Sequence, residues 1–170
     1  EITSLMARVG IESRFVEGQR VTDEQTLDIA EMVLAGKLNG EIVSNLNYLQ
    51  GRAVGLSGKD GNLIIARKLV TDKGGDIGYV GEVEMINDHV IRILEESGFI
   101  PVVSPIGVAR DGQTYNINAD TVAAELAASL KASKLILLTD VRGICTNPDD
   151  PTSLISRIKC DQIEGMIAEG

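Results

Sequence analysis

Asn116, Asn118 and Asp120 occupy alternate positions in Tyr115-Asn116-Ile117-Asn118-Ala119-Asp120-Thr121, at the entry to a run, residues 121–131, that reads as a helix. At such a junction the first-turn N–H groups have no intrahelical partners and the helix dipole is positive. Polar side chains there can grip an anionic ligand or fix the groups that do. Equally, Asn118 or Asp120 can cap its own helix. A second candidate is Arg20 in Arg20-Val21-Thr22, a guanidinium directly before another helix start. It can hold a carboxylate bidentately, or pair at the surface with Asp23 or Glu24. A third is Thr139-Asp140-Val141-Arg142-Gly143-Ile144, a sharp polar turn after an aliphatic run. Gly143 lets backbone approach a ligand there, or Asp140 simply caps the turn.

Other chemistries lack their parts. No G-x-G-x-x-G follows a strand. Gly55-Leu56-Ser57-Gly58-Lys59-Asp60-Gly61 has the look of a phosphate loop, but Ala53 stands where its first glycine belongs and Asp60 where Mg²⁺ needs Ser or Thr; it reads as a turn. His89 is the sole histidine and reads as a solvated surface residue, so neither a Ser–His–Asp triad nor a zinc ligand set can be assembled. Cys145 and Cys160 have no metal-type spacing and make no disulfide framework, which points to a reducing compartment. A net charge of −9 repels phosphate backbones and anionic lipids, so neither nucleic acid nor membrane is an expected partner. Any anion site must therefore carry local positive charge. Aromatics are 3% with no Trp, which argues against a stacking platform for single-stranded nucleic acid and favours aliphatic strands with Ala-rich helices.

These candidates need elements to place them. Residues 3–9 read as a helix stopped by Gly10, and residues 13–21 as a hairpin turning at Glu17-Gly18. Thr22 and Gln25 fit a capping box for a helix ended by Gly36. A second helix carries Ile42, Val43, Leu46 and Leu49 on one side and stops at Gly51. Strands are expected at 52–57, 62–69, 79–86, 99–104 and 134–139, the last the most aliphatic, with a turn at Asp111-Gly112. Asn87 is expected to cap a helix through Ser97, and a final helix starts near Asp161. Aliphatic strands alternating with helices predict an α/β fold, a three-layer αβα sandwich around a mostly parallel sheet with an antiparallel hairpin at 57–86, in one domain over 1–170. Ligands in such sheets bind beyond the carboxyl ends of the strands, so residues 104–120 and 139–143 are expected on one rim.

Six segments together resemble the acetylglutamate kinases of the amino acid kinase family: Glu17-Gly18-Gln19-Arg20-Val21-Thr22-Asp23, Ala53-Val54-Gly55-Leu56-Ser57-Gly58-Lys59-Asp60-Gly61, Gly78-Tyr79-Val80-Gly81-Glu82-Val83, Gly98-Phe99-Ile100-Pro101-Val102-Val103, Tyr115-Asn116-Ile117-Asn118-Ala119-Asp120-Thr121-Val122-Ala123 and Leu135-Ile136-Leu137-Leu138-Thr139-Asp140-Val141-Arg142-Gly143. Asp150-Pro151-Thr152-Ser153-Leu154-Ile155 is further similar to the arginine-regulated type of cyanobacteria and plastids. The resemblance implies phosphorylation of the side-chain carboxylate of N-acetyl-L-glutamate by ATP with Mg²⁺, a step of arginine biosynthesis. It implies Arg20 and Asn116 as substrate-binding residues and Asp120 as a catalytic residue that organises lysines rather than acting as a base. It implies Asp140, Val141, Arg142, Gly143, Ile144 and Cys145 as the nucleotide-binding segment, and no protein-bound metal. A carboxylate substrate is already ionised at pH 7, so a chain without a catalytic histidine suits the reaction.

The family's Lys-Gly-Gly segment, its first Gly-rich loop and its Gly-Gly-Met-Ile-Pro-Lys segment have no counterpart within these 170 residues, so this stretch alone is expected to be inactive. Relatives of the resembled type form homo-oligomers, dimers or hexamers, and some bind the PII signal protein; the implied location is cytoplasmic or the plastid stroma. The alternatives are another amino acid kinase, acting on carbamate, aspartate or a nucleoside monophosphate, and a non-catalytic regulatory or oligomerising module.

Overall fold

In the computed structural model, residues 2–16, 19–71, 75–139, 141, 143–147 and 150–169 are described, without the side chains of 151 and 167–169. They fall into two compact units, Glu1–Leu135 and Ile136–Gly170.

The first unit opens with helix α1 (Ile2–Arg8) and an antiparallel pair, β1 (Phe15–Val16) and β2 (Gln19–Arg20). The expected hairpin forms, and its turn at 17–18 lies outside the described residues. A helical arm follows: α2 (Glu24–Glu31), a π-helical stretch (Met32–Leu38) and α3 (Asn39–Tyr48). Gly36 does not stop the helix. A glycine in a helix interior costs only about 1 kcal/mol, and packing outweighs it: Val33 is buried with Met6 and Ile29, and Asn39 reaches the sheet. The capping box also fails by one residue. Asp23 is the N-cap, accepting from the Thr26 N–H at 2.8 Å, while Thr22 is fully buried and turned elsewhere. At the far end Gln50, with φ 67°, takes the left-handed step rather than Gly51.

From residue 53 the chain lays down β3 (Ala53–Ser57), β4 (Ile64–Lys68), β5 (Val80–Ile86), helix α4 (His89–Glu96), β6 (Ile100–Ser104), β7 (Ile106–Val108), β8 (Thr114–Ile117) and helix α5 (Ala119–Leu130). β3 and β6 pair in parallel over five residues. The Asn39 amide donates to the carbonyls of Leu56 (3.3 Å) and Val102 (2.7 Å), tying the helical arm to both strands. The other four strands close on one another in the order β4-β5-β8-β7. Within that ring β4–β5 is the expected antiparallel hairpin and β5–β8 is parallel. The result is an α/β fold mixing parallel and antiparallel strands.

Leu63, Ile64, Ala66, Ile91, Ile117 and Val122 form the principal core, between the ring and the helices α4 and α5. Asn87 does not cap α4; its side-chain amide donates to the Gly61 carbonyl. Asp88 holds the N-cap position, and its carboxylate accepts from Arg92 at 2.6 Å and from the Ser129 hydroxyl at 3.0 Å, joining α4 to α5.

The second unit contains an isolated antiparallel bridge between Cys145 and Leu154, a short 3₁₀ turn (Pro151–Ser153) capped by Asp150, and helix α6 (Cys160–Glu169). The strand expected at 134–139 is absent: these residues join no ladder, and Leu138 is 95% exposed. An aliphatic run supplies the side chains of a strand. The strand itself exists only when a neighbour takes up its N–H and C=O groups.

Candidate functional site

Three backbone hydrogen bonds assemble the site from segments far apart in the chain. Thr22, two residues beyond Arg20, donates its N–H to the Ile77 carbonyl at 2.9 Å. The Tyr79 N–H donates to the Thr22 carbonyl at 2.6 Å, and the Asn116 N–H donates to the Tyr79 carbonyl at 3.0 Å. Thr22 thereby forms an isolated parallel bridge with Gly78. Gly78 has φ 77°, and a Cβ there would fall 2.1 Å from the Thr22 carbonyl oxygen, so a side chain is excluded on two grounds.

Side chains continue the connection. The Asn116 Nδ2 donates to the Thr22 Oγ1 at 3.4 Å, and the Thr22 hydroxyl donates to the Arg20 carbonyl at 2.8 Å. Arg20 and Asn116, both expected to bind substrate, are thus joined through one buried threonine. The Arg20 Nη1 donates to the Ser13 Oγ at 2.6 Å and lies 3.7 Å from the Met6 sulfur. Its Nη2 donates to the Thr3 Oγ1 at 3.1 Å, and the guanidinium stacks 4.6 Å from the Phe15 ring centroid. The expected pairing with Asp23 or Glu24 does not occur. Among the described residues Arg20 meets no carboxylate. Partial burial lowers its pKa from the ordinary value; a guanidinium nonetheless keeps its charge.

Asn118 caps α5: its Oδ1 accepts from the N–H groups of Asp120 at 2.9 Å and Thr121 at 3.1 Å. Of the two readings of this side chain, the cap is the one realised. Asp120 lies in the first turn of α5, exposed, its carboxylate accepting no hydrogen bond among the described residues. It sits at the positive end of the helix dipole. Among the described residues no three His, Cys, Asp or Glu side chains are grouped to hold a metal ion. Hollows of about 600 Å³ along the helical arm, lined by Asp28, Glu31, Met32, Ala35 and Gly36, and about 270 Å³ beside Lys68 and Asp76 include none of the candidate residues.

The expected nucleotide segment belongs to the second unit. Asp140 and Arg142 lie outside the described residues. Val141 and Ile144 are exposed, and the Val141 N–H donates to the Thr139 Oγ1 at 3.2 Å. Gly143 has φ 137°, where an added Cβ would also come within 3.0 Å of Leu154. Cys145 is half-buried and bridges to Leu154.

Reading the residues one by one missed Thr22, Ser13 and Gly78. In the sequence Thr22 reads as part of a capping box, and Ser13 carries no motif. Gly78, lying just ahead of a strand, was the one legible signal of close backbone approach.

The sequence pattern of the amino acid kinase family matches residues 1–170. The acetylglutamate kinase of Moorella thermoacetica is 52% identical over 177 aligned residues, covering all of this chain and 60% of that protein. The acetylglutamate kinase of Desulforamulus reducens is 54% identical over 170 residues, covering all of this chain and 59% of that protein. The chain therefore spans about 60% of the length of the curated relatives it matches. Among solved structures, smu.665 from Streptococcus mutans UA159 superposes with a TM-score of 0.85 at 27% identity, over 99% of this chain and 66% of that one. N-acetylglutamate synthase from Neisseria gonorrhoeae, complexed with coenzyme A and N-acetyl-glutamate, gives a TM-score of 0.76 at 28% identity, over 99% of this chain and 37% of that one.

Proposed function

Because the chain belongs to the amino acid kinase family, we propose that the protein carrying it transfers the terminal phosphoryl group of ATP to the side-chain carboxylate of N-acetyl-L-glutamate. A carboxylate oxygen attacks the γ-phosphorus, the bond to the bridging β–γ oxygen breaks, and ADP leaves with the electron pair. The products are ADP and an acyl phosphate. The nucleophile is already ionised near pH 7, so no general base is needed. Two anions must instead be neutralised and aligned.

The observation that carries this reading is the Arg20–Thr22–Asn116 connection, which ties the backbone of Arg20, whose guanidinium meets no carboxylate among the described residues, to the side-chain amide of Asn116 in β8. In the proposal Arg20 takes the α-carboxylate of the substrate and Asn116 hydrogen-bonds the substrate beside it. Asp120 orients cationic groups around the transferring phosphoryl group. The Asp140–Cys145 segment, residues 140–145, binds the nucleotide mostly through backbone, and Mg²⁺ arrives with the ATP phosphates.

Titration calorimetry with N-acetyl-L-glutamate tests the assignment, alongside trapping of the acyl phosphate with hydroxylamine. Arg20→Ala should weaken binding roughly 10- to 100-fold, as expected for loss of a charge-assisted hydrogen bond. Unchanged affinity in Arg20→Ala would overturn the substrate assignment.

A further inference from the structure

Arg20 stands in an acidic chain, net charge −9, with Asp23 and Glu24 close behind it in sequence. A surface arginine so placed can pair with a carboxylate. Among the described residues the groups around it are neutral: two hydroxyls, a thioether and an aromatic ring. They orient the guanidinium without cancelling its charge.

The hydrogen bonds have a direction. The Ser13 hydroxyl donates to the Met6 sulfur at 3.2 Å, so its proton is committed there and a lone pair is left for Arg20 Nη1. Met6 is 1% exposed and packed with Ile29 and Val33, which makes the sulfur a fixed point. Thr3 takes one Nη2 proton. A guanidinium has five N–H donors. The Nε–H and one Nη2–H remain without a partner among the described residues, and Nε and Nη2 lie along one edge of the plane. The donors left free there are available to a ligand carboxylate.

We infer that Ser13, assisted by Thr3, is a positioning residue that aims the open edge of Arg20 at a ligand carboxylate; the inference rests on the reading of Arg20 as the group that binds the substrate's α-carboxylate. A long arginine side chain carries substantial rotamer entropy, and anchoring Nη1 and Nη2 to neutral acceptors lowers the ordering cost of binding.

The test is calorimetry with two ligands, N-acetyl-L-glutamate and its α-carboxamide counterpart, on the unsubstituted protein and on Ser13→Ala, Thr3→Val and Arg20→Ala. Ser13→Ala should reduce the preference for acid over amide about five- to tenfold, the effect of one lost hydrogen bond. Thr3→Val, at an exposed position, should reduce it in the same direction and serves where Ser13→Ala fails to fold. A purely structural role would weaken both ligands alike and leave their ratio unmoved; that result, or an unchanged ratio in both variants while Arg20→Ala abolishes it, overturns the inference and spares the substrate reading. An unchanged ratio in Arg20→Ala, or no binding of either ligand to the unsubstituted protein, overturns the substrate reading and the inference with it.

Discussion

The Asn116 side-chain amide donates to the hydroxyl of Thr22, 94 residues earlier, at 3.4 Å, and that same hydroxyl donates to the Arg20 carbonyl at 2.8 Å. Thr22 is fully buried, so both bonds are shielded from water. Replacing it by the near-isosteric Thr22→Val leaves the amide and the carbonyl each short of a partner. A loss of about 1–3 kcal/mol in unfolding free energy is expected. The check is a urea melt whose midpoint falls at constant slope; Thr22→Ser, which keeps the hydroxyl, should retain more of the stability.

Gly78 holds the other side of that contact. Its φ of 77° is open to glycine, and the nearest obstacle to a Cβ is the Thr22 carbonyl oxygen, a backbone atom that cannot rotate away. Gly78→Ala therefore combines left-handed strain with overpacking and should cost at least about 2 kcal/mol. An unchanged thermal midpoint in Gly78→Ala would rule out the Thr22–Gly78 bridge.

Asn118 uses its side-chain oxygen on two N–H groups of α5. Asn118→Ala should destabilise the protein by about 1 kcal/mol, with Asn118→Ser close to neutral. Amide hydrogen exchange at Asp120 and Thr121 should accelerate in the alanine variant and not in the serine variant.

Asp23 gives a pH dependence of known sign. Hydrogen bonds from Thr26 hold its carboxyl below the ordinary value of 3.8. A carboxyl depressed on folding contributes stability that is complete above its unfolded value and is lost as pH falls through the lower folded one. The stability difference between the protein and Asp23→Asn should be flat above pH about 4 and shrink below it. The side chain is exposed, so the effect is modest and should fall further with added salt. A difference that persists unchanged to the lowest pH at which the protein folds would remove Asp23 as a titrating cap.

Much of the α/β pattern was legible residue by residue. The hairpin at 13–21, the β4–β5 pair, α4, α5 and α6 all lie where apolar periodicity and turn residues place them. The errors share a cause. Gly36 and the Thr22–Gln25 box are local stop and start signals, and each was overruled by contacts made elsewhere: Val33 with Met6, Asn39 with Val102, Thr22 with Asn116. The aliphatic run at 134–139 had every side chain a strand requires and no partner backbone to make it one.

Caps and turns follow from side chains that reach only two or three residues along the chain, as Asn118 reaches Asp120 and Thr121. Such geometry is written into the order of amino acids, because a short polar side chain can hardly bond anything farther away. The neutral groups that meet Arg20 among the described residues, and its link to Asn116, are of another kind. They depend on Met6, Ser13, Gly78 and Asn116 arriving at one place once hydrophobic burial has folded the intervening chain. Linear order names the charge; packing decides whether a carboxylate of the protein neutralises it or leaves it for a ligand.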